Sequence, residues 1–513
     1  MAGGHLEVER KYEVAPDWQM PDLAALPDVT ADDEALLELD AVYFDTVELR
    51  LLRSRATLRR RRGGHDEGWH LKLPSGADRL EVQRPLDPDA PVDEVPADLA
   101  VLARARARGE PLVPVARLRS RRLSHLLRDG EPDVVLAEVT EDEVTAEVLR
   151  PESTDHPVSR WREVEAELVD GDESLLERVH ELLLASGAEV SGERSKVGRA
   201  LEAWRAELDG RSAVPEGGGV AADPVLAYLR AQVDRLVAAD SAVRLREPEG
   251  VHDMRVATRR LRSVLRSFRK LFEPGGTEPL REELAWLADQ LGRARDAEVL
   301  REELLSLVGR EPPELVLGPV SQRLDDELSA TRQAALRAVV EALDGERYLV
   351  LLKRLDAFLA QAPVSSRGER KPQRALRKAV RREWRRVARR RDAVAAAPDG
   401  PPRDHALHEM RKAAKRGRYT AELVAAGLDG TDTGSDAADL AACFERLQDV
   451  LGEYQDSVVA RSQLRRYGVE AHLAGENAFS FGRLHALEER RGHQALQQLE
   501  EAEESAEKAA ERL

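Results

Sequence analysis

The sequence predicts an α+β multidomain protein. Its N-terminal part reads as an antiparallel β region curled or closed into a barrel. Its C-terminal part reads as all-α bundles with an internal duplication. Three observations predict this. Residues 1–205 fall mostly into short segments that alternate with a period of two. A Pro- and Gly-bearing stretch at 206–222 then reads as a linker. Beyond it the apolar period becomes 3.6, and a His- and Arg-bearing segment occurs twice.

The chain has 513 residues, room for about three domains at roughly 100–200 residues each. Hydrophobic residues make up 42% and charged residues 34%, which excludes a mostly disordered chain and supplies a sizeable core. Aromatics are only 4%, so Leu, Val and Ala must fill that core. Acidic residues number 96 against 79 basic ones, a net charge of -17, which argues against nucleic acid as a partner. The single Cys443 excludes a disulfide framework and a multi-cysteine zinc site. Charges stand where an apolar signal core would lie, and no run of 18 apolar residues occurs. The expectation is a soluble, cytoplasmic protein.

Taken in order, residues 5–14 alternate, with Glu7, Glu9 and Lys11 on one face and Leu6 and Val8 on the other. Strands are expected at 39–45, 57–62, 69–73 and 79–84, separated by Gly, Pro or Asp. Further strands follow at 115–120, 134–140, 142–149 and 161–169. Helices are expected over 96–108 and 173–186, the second capped by Asp172 or Ser174. Strands this numerous and short favour an antiparallel sheet that curls or closes. Their charged faces sort by strand: Glu7, Glu9 and Lys11; Arg59 and Arg61; Arg117 and Arg119; Glu163, Glu165 and Glu167. For one strand, such a face belongs in solvent. For the whole set, the segregation predicts a polar cavity that takes an anion and a cation together.

The helical pattern runs from 224 to about 496 with breaks near 273–280, 309–318, 362–372, 393–403 and 427–437, as packed bundles require. Two repeats are expected, about 223–360 and 372–500 within a helical domain of 223–500. Segment 251–268 matches 407–423, pairing His252 with His408, Met254 with Met410 and Arg255 with Arg411. Leu291, Gly292 and Asp296 match Leu451, Gly452 and Asp456. His252, Arg255, Arg259, Arg262 and Arg266 step by three or four residues and so share one helix side. His408, Arg411, Lys415 and Arg418 repeat the stripe. Two such stripes, placed symmetrically, make a surface for a long polyanion. The run 377–391 is denser still, and suits either a polyanion or an intramolecular acidic partner. Asp296 and Asp456 can orient the arginines or cap backbone.

These residues resemble two known families in tandem. The first part is similar to a CYTH domain, the triphosphate tunnel metalloenzyme fold. The resemblance rests on Glu7-x-Glu9-x-Lys11, the YFDT segment at 43–46, LRRR at 58–61, Lys72, RLR at 117–119, the Glu163–Glu165–Glu167 strand and Ser195–Lys196. The second part is similar to a CHAD domain, the conserved histidine alpha-helical domain, on its duplicated His-xx-Arg stripes and LGxxxD echoes. The resemblance implies a closed eight-stranded antiparallel tunnel that hydrolyses inorganic triphosphate or thiamine triphosphate, or cyclises ATP, with Mg²⁺ or Mn²⁺. It implies metal ligands among Glu7, Glu9, Glu163, Glu165, Glu167 and Asp142, with Glu138 competing for the Asp142 role. Glu7, Glu9 and Lys11 carry the catalytic role. Lys11, Arg59, Arg61, Lys72, Arg117, Arg119 and Lys196 would hold phosphates, with Arg84 or Arg79 adding a contact. It implies inorganic polyphosphate as the partner of the helical stripes. A link to polyphosphate granules, no membrane partner, and a monomer or homodimer are the remaining expectations. Triphosphate or short-polyphosphate hydrolysis is therefore the leading expectation. A non-catalytic polyphosphate binder, an adenylate cyclase and a thiamine triphosphatase are the alternatives.

Overall fold

Alternation becomes strand along the first part of the chain because each strand has one apolar face to bury. The computed structural model describes residues 8–33, 36–64, 66–75, 78–129, 134–151, 153–192, 195–212 and 219–513. The chain divides into two units between Ala213 and Val214.

The first unit holds strands β1 (Glu9–Val14), β2 (Thr30–Asp33), β3 (Leu37–Asp45), β4 (Thr57–Arg62), β5 (Gly68–Ser75), β6 (Asp78–Arg84), β7 (Val113–Arg128), β8 (Val135–Val148), β9 (Val158–Leu168) and β10 (Glu189–Val190). Helices α1 (Arg50–Arg53), α2 (Ala97–Ala107), α3 (Glu173–Ala185), α4 (Lys196–Ala200) and α5 (Glu202–Ser212) accompany them. The strands form one antiparallel sheet in the order β10-β1-β9-β8-β7-β3-β4-β5-β6, with β2 also on β7.

This corrects the expected closed eight-stranded barrel: among the described residues the sheet has ten strands and stays open, and β6 pairs with β5 alone. The outer edge of β1 is taken by β10 through Tyr12↔Val190 and Glu13↔Glu189. The 16-residue β7 takes β3 and β2 in succession along one edge. The strands expected at 134–140 and 142–149 are one strand, β8.

One sheet face carries Tyr12, Val139, Val164 and Ala166 and packs under Leu175, Leu176, Val179 and Leu183 of α3. Asp172 caps α3 by accepting from the Leu175 amide at 3.0 Å. Each fully buried Leu or Val here contributes about 1.5–3 kcal/mol. The opposite face is divided. At one end Tyr43, Leu118, Val144 and Ala146 pack against Val197, Leu201 and Trp204. Toward the other end the same face turns charged.

The second unit is helical: α6 (Asp223–Leu245), α7 (Gly250–Ser267), α8 (Glu278–Gly309), α9 (Val320–Asp344), α10 (Glu346–Ala360), α11 (Pro372–Ala396), α12 (Pro401–Gly427), α13 (Asp432–Leu473), α14 (Phe479–Gln497) and α15 (Leu499–Arg512). The two repeat segments are α7 and α12, and these helices pack on each other. Met254, Ala257, Leu261 and Val264 bury the apolar stripe of α7, and Leu407, Met410 and Ala414 that of α12. Gly417 lets α12 approach α13: a Cβ there would meet the Phe444 ring at 2.8 Å. Among the described residues, no helix is long and apolar enough to cross a membrane.

Candidate functional site

Strand register sets the charged face of the first unit. Glu9, Glu167 and Glu138 lie directly opposite one another across β1, β9 and β8. Lys11, Glu165 and Thr140 form the next row, and Glu163, Asp142 and Arg122 the row beyond it. Arg59 and Arg61 of β4 and Lys72 of β5 face the same space. Together with Arg122 and Lys196 they line a cavity of about 500 Å³.

Lys196 starts α4, whose cap is Ser195. Its ammonium lies 3.0 Å from Asp142, 2.6 Å from Glu163 and 2.9 Å from Glu165. Arg122 donates to both Asp142 oxygens at 2.9 and 2.7 Å and to Glu165 at 3.1 Å. Lys11 pairs with Glu165 and reaches Glu9 at 3.0 Å. Burial alone would pull Lys196 down, but Asp142, Glu165 and Glu163 outweigh it and hold it above its ordinary value. Burial would raise Glu165, yet Lys11, Lys196 and Arg122 hold it well below the usual carboxylate range. Asp142 is lowered against burial by Lys196 and Arg122.

The opposite wall is cationic and less compensated. Burial, then Arg59 and Arg122, push Arg61 down to about 9 even though it pairs with Asp66. The Nε atoms of Arg59 and Arg61 are buried without a hydrogen-bond partner. Arg59 has a long contact of 3.5 Å to the Tyr43 hydroxyl. Glu81 sits 4.0 Å from Lys72 and 2.8 Å from His70.

Of the expected site residues, Glu9, Lys11, Arg59, Arg61, Lys72, Glu165, Glu167 and Lys196 line the cavity. Glu163 and Asp142 are buried against Lys196. Glu7 and the side chain of Arg79 lie outside what the structure describes. Three expected phosphate contacts are placed elsewhere. Arg117 donates to Asp40 at 2.9 Å, Arg119 is exposed, and Arg84 donates to Asp98 at 2.5 Å. The cause is register. β7 stays in step with β8 from Ala116 to Leu127, so Arg117, Arg119 and Arg121 face away and Arg122 faces inward. Sequence reasoning missed Arg122, Glu81 and His70, and named Glu138 only as a competitor. The doublet Arg121–Arg122 was the available signal, since adjacent strand residues take opposite faces.

Asp142, Glu163 and Glu165 offer oxygens within 4.8 Å of one another, so this buried cluster could hold a divalent metal. An all-oxygen set suits a hard cation. The Lys196 ammonium, however, already lies within 3.0 Å of all three. The Glu9–Glu167–Glu138 row is a second all-carboxylate set on the same cavity.

In the second unit, Arg259, Arg262 and Arg266 of α7 and Lys415 of α12 line a cleft of about 470 Å³, with Arg281, Lys412 and Arg416. Arg255 pairs with Asp296 at 3.1 Å, and Arg411 with Asp456 at 3.7 Å. Arg259 lies 5.6 Å from the Tyr419 ring centroid. Burial, then Arg411, Arg259 and Arg255, push Lys415 down to about 6, with Asp456 pulling the other way. His252 is half-exposed, 4.0 Å from Glu249, and His408 is lowered by burial and Lys412. Arg418 is drawn to Glu422 at 2.6 Å and Glu445 at 2.8 Å and, like His252, Arg255, His408 and Arg411, does not line the cleft. Much of the dense basic run on α11 has intramolecular partners. Arg386 pairs with the buried Glu383 at 2.7 Å, Arg390 with Glu409 at 3.4 Å and Arg391 with Glu507 at 3.0 Å.

Comparison with known proteins matches a CYTH domain model over residues 5–200 and a CHAD domain model over 227–465. The uncharacterized protein Rv2226 of Mycobacterium tuberculosis is 38% identical over 510 residues, covering 97% of this chain and 96% of that protein. Among solved structures, PptA from Streptomyces chartreusis gives a TM-score of 0.45 at 23% identity, over 55% of this chain and 99% of its own. A putative adenylyl cyclase from Hippeastrum, described as having a dominant triphosphatase activity, gives 0.25 at 18% identity, over 38% of this chain and 96% of its own. Likeness at these levels carries no argument about activity. The two domain models in tandem and the full-length relative do decide the family: this chain belongs to the proteins that join an N-terminal CYTH domain to a C-terminal CHAD domain.

Proposed function

We propose that the N-terminal cavity hydrolyses the phosphoanhydride bond of inorganic triphosphate or short polyphosphate with Mg²⁺ or Mn²⁺, and that the helical unit binds inorganic polyphosphate. At a coarser level, the domain identity and the acidic cluster support a catalytic role in nucleotide or polyphosphate processing. The observation that carries the finer reading is the opposition of signs within one cavity. Lys11, Lys196 and Arg122 are met by buried carboxylates, whereas Arg59 and Arg61 keep buried Nε donors without partners. A buried donor without a partner is costly, so this wall is built for an acceptor-rich anion. Triphosphate, with roughly four to five negative charges near neutral pH, supplies one. Arg59, Arg61 and Lys72 would hold the phosphate chain, and Glu9, Glu138 and Glu167 would hold the metal. When bound, the metal would neutralise phosphate oxygens and assist attack by water. The carboxylate wall keeps the reacting end oriented against the cationic one.

Glu9→Gln is expected to lower turnover more than tenfold, measured as phosphate release from triphosphate at limiting Mn²⁺, with polyphosphate binding by the full chain intact. Unchanged turnover would count against this ligand set. Cyclic AMP formation from ATP, with no phosphate release from triphosphate, would move the assignment to a cyclase. Polyphosphate binding with neither reaction would leave a non-catalytic binder.

The helical unit should bind polyphosphate with proton uptake. Burial, then Arg411, Arg259 and Arg255, push Lys415 down to about 6, with Asp456 opposing them. A polyanion beside it raises that value. Affinity is therefore expected to be full below pH 6 and to fall as pH rises above it, by up to about tenfold per unit. Titrations at pH 5.5, 7 and 8.5 would read this. Lys415→Arg, permanently charged, should flatten the profile. An unchanged slope in that variant would assign the proton elsewhere.

A further inference from the structure

The duplicated LGxxxD segments acquire a shared contact in three dimensions. Asp296 on α8 pairs with Arg255, and Asp456 on α13 pairs with Arg411, each within its own repeat. The pairs occupy matching positions, since Arg255 aligns with Arg411 and Asp296 with Asp456. Stability does not account for them. The side chains of Asp296 and Asp456 are 70% and 42% exposed, and exposed pairs contribute about 0–1 kcal/mol. What the aspartates do supply is counter-charge where cations crowd. Arg255, Arg259 and Arg411 all bear on Lys415, and Asp456 is the acid set against them. The sequence also clears a path for one pair. A Cβ at Gly452 would lie 2.9 Å from the Arg411 guanidinium, so glycine lets that side chain lie close along α13.

We propose that Asp296 and Asp456 are internal competitors for Arg255 and Arg411, holding beside the cleft residue Lys415 the arginines that a polyphosphate chain would take, and so lowering affinity for the polymer. The proposal rests on the reading that the helical unit binds polyphosphate. Binding then exchanges one anion for another at each arginine, which keeps capture reversible. An aspartate that instead merely orients its arginine has the opposite sign of effect, because its loss would weaken binding.

The test is titration of the full chain with long-chain polyphosphate at fixed, near-physiological salt. Asp296→Asn and Asp456→Asn should each tighten binding about threefold, and the double variant about tenfold, in the range expected for exposed ion pairs. Circular dichroism should be unchanged. Each aspartate acts through its arginine, so Asp296→Asn in an Arg255→Gln background should leave affinity where that background sets it. Tightening of equal size in that background would reduce the effect to general repulsion and overturn the proposal. Weaker or unchanged binding in the single variants would overturn it as well. No polyphosphate binding by the unsubstituted chain would instead remove the reading beneath it, and the proposal with it.

Discussion

Lys196→Met is expected to destabilise the N-terminal unit by about 3–5 kcal/mol at pH 7, the range for removing one partner from a buried charge network. Lys196 touches three carboxylates within 3.0 Å, and one of them, Asp142, is fully buried. A methionine fills much of the same volume and removes the charge. Glu165 and Asp142 have folded-state values below their unfolded ones. Such groups contribute stability above their unfolded range near pH 4, and that contribution is lost as pH falls through the folded values. Lys196 is raised, so its own contribution is complete below its unfolded value, near 10.4, and covers neutral pH. The gap between variant and parent should therefore be full at pH 7 and narrow only below about pH 4, as pH falls through the folded values of the carboxylates. Denaturant unfolding of the full chain at pH 7 and at about pH 3 would read it. A gap that stays the same at the lower pH would show that Lys196 acts by packing rather than by charge.

Period two was enough to place Glu9 with Lys11, and Glu163 with Glu165 and Glu167, because residues two apart on a strand cannot avoid sharing a face. Which face turns inward is a different question, and sequence answers it poorly. The segment from Arg117 to Arg122 carries arginines on both faces, and only the pairing of β7 with β8 assigns Arg122 to the cavity. Closure was illegible for a related reason. It depends on edges, and the edge of β1 is decided by the two residues of β10. In the helical unit the duplication was legible as a repeat of residue types at helical spacing. The acidic partners of α11 were not, since Glu507 lies 116 residues from Arg391. The pairing of Asp296 and Asp456 with the stripes likewise exists only in the packed bundle.

Arg61→Gln should separate activity from stability on the opposite wall of the cavity. Arg61 is buried beside Arg59 and Arg122, and that burial, with the two neighbouring charges, pushes it down to about 9. It stays charged at neutral pH in surroundings that disfavour the charge, and its Nε is buried without a hydrogen-bond partner. Its ion pair is with Asp66, a partly exposed carboxylate, so losing that pair costs little. Glutamine relieves the repulsion and shortens the side chain, and the melting temperature is expected to hold or rise. A triphosphate would meet the opposite consequence. Its oxygens would lose a fixed donor whose desolvation had already been met on folding, both in the ground state and where charge shifts during phosphoryl transfer. The expected loss in kcat/KM for triphosphate is about 10²–10³, with KM raised and kcat lowered together. Steady-state kinetics and a thermal melt on the same preparation would measure both. A melting temperature that drops as far as in Lys196→Met, with activity lost only in proportion to unfolding, would make Arg61 a structural residue rather than part of a phosphate clamp.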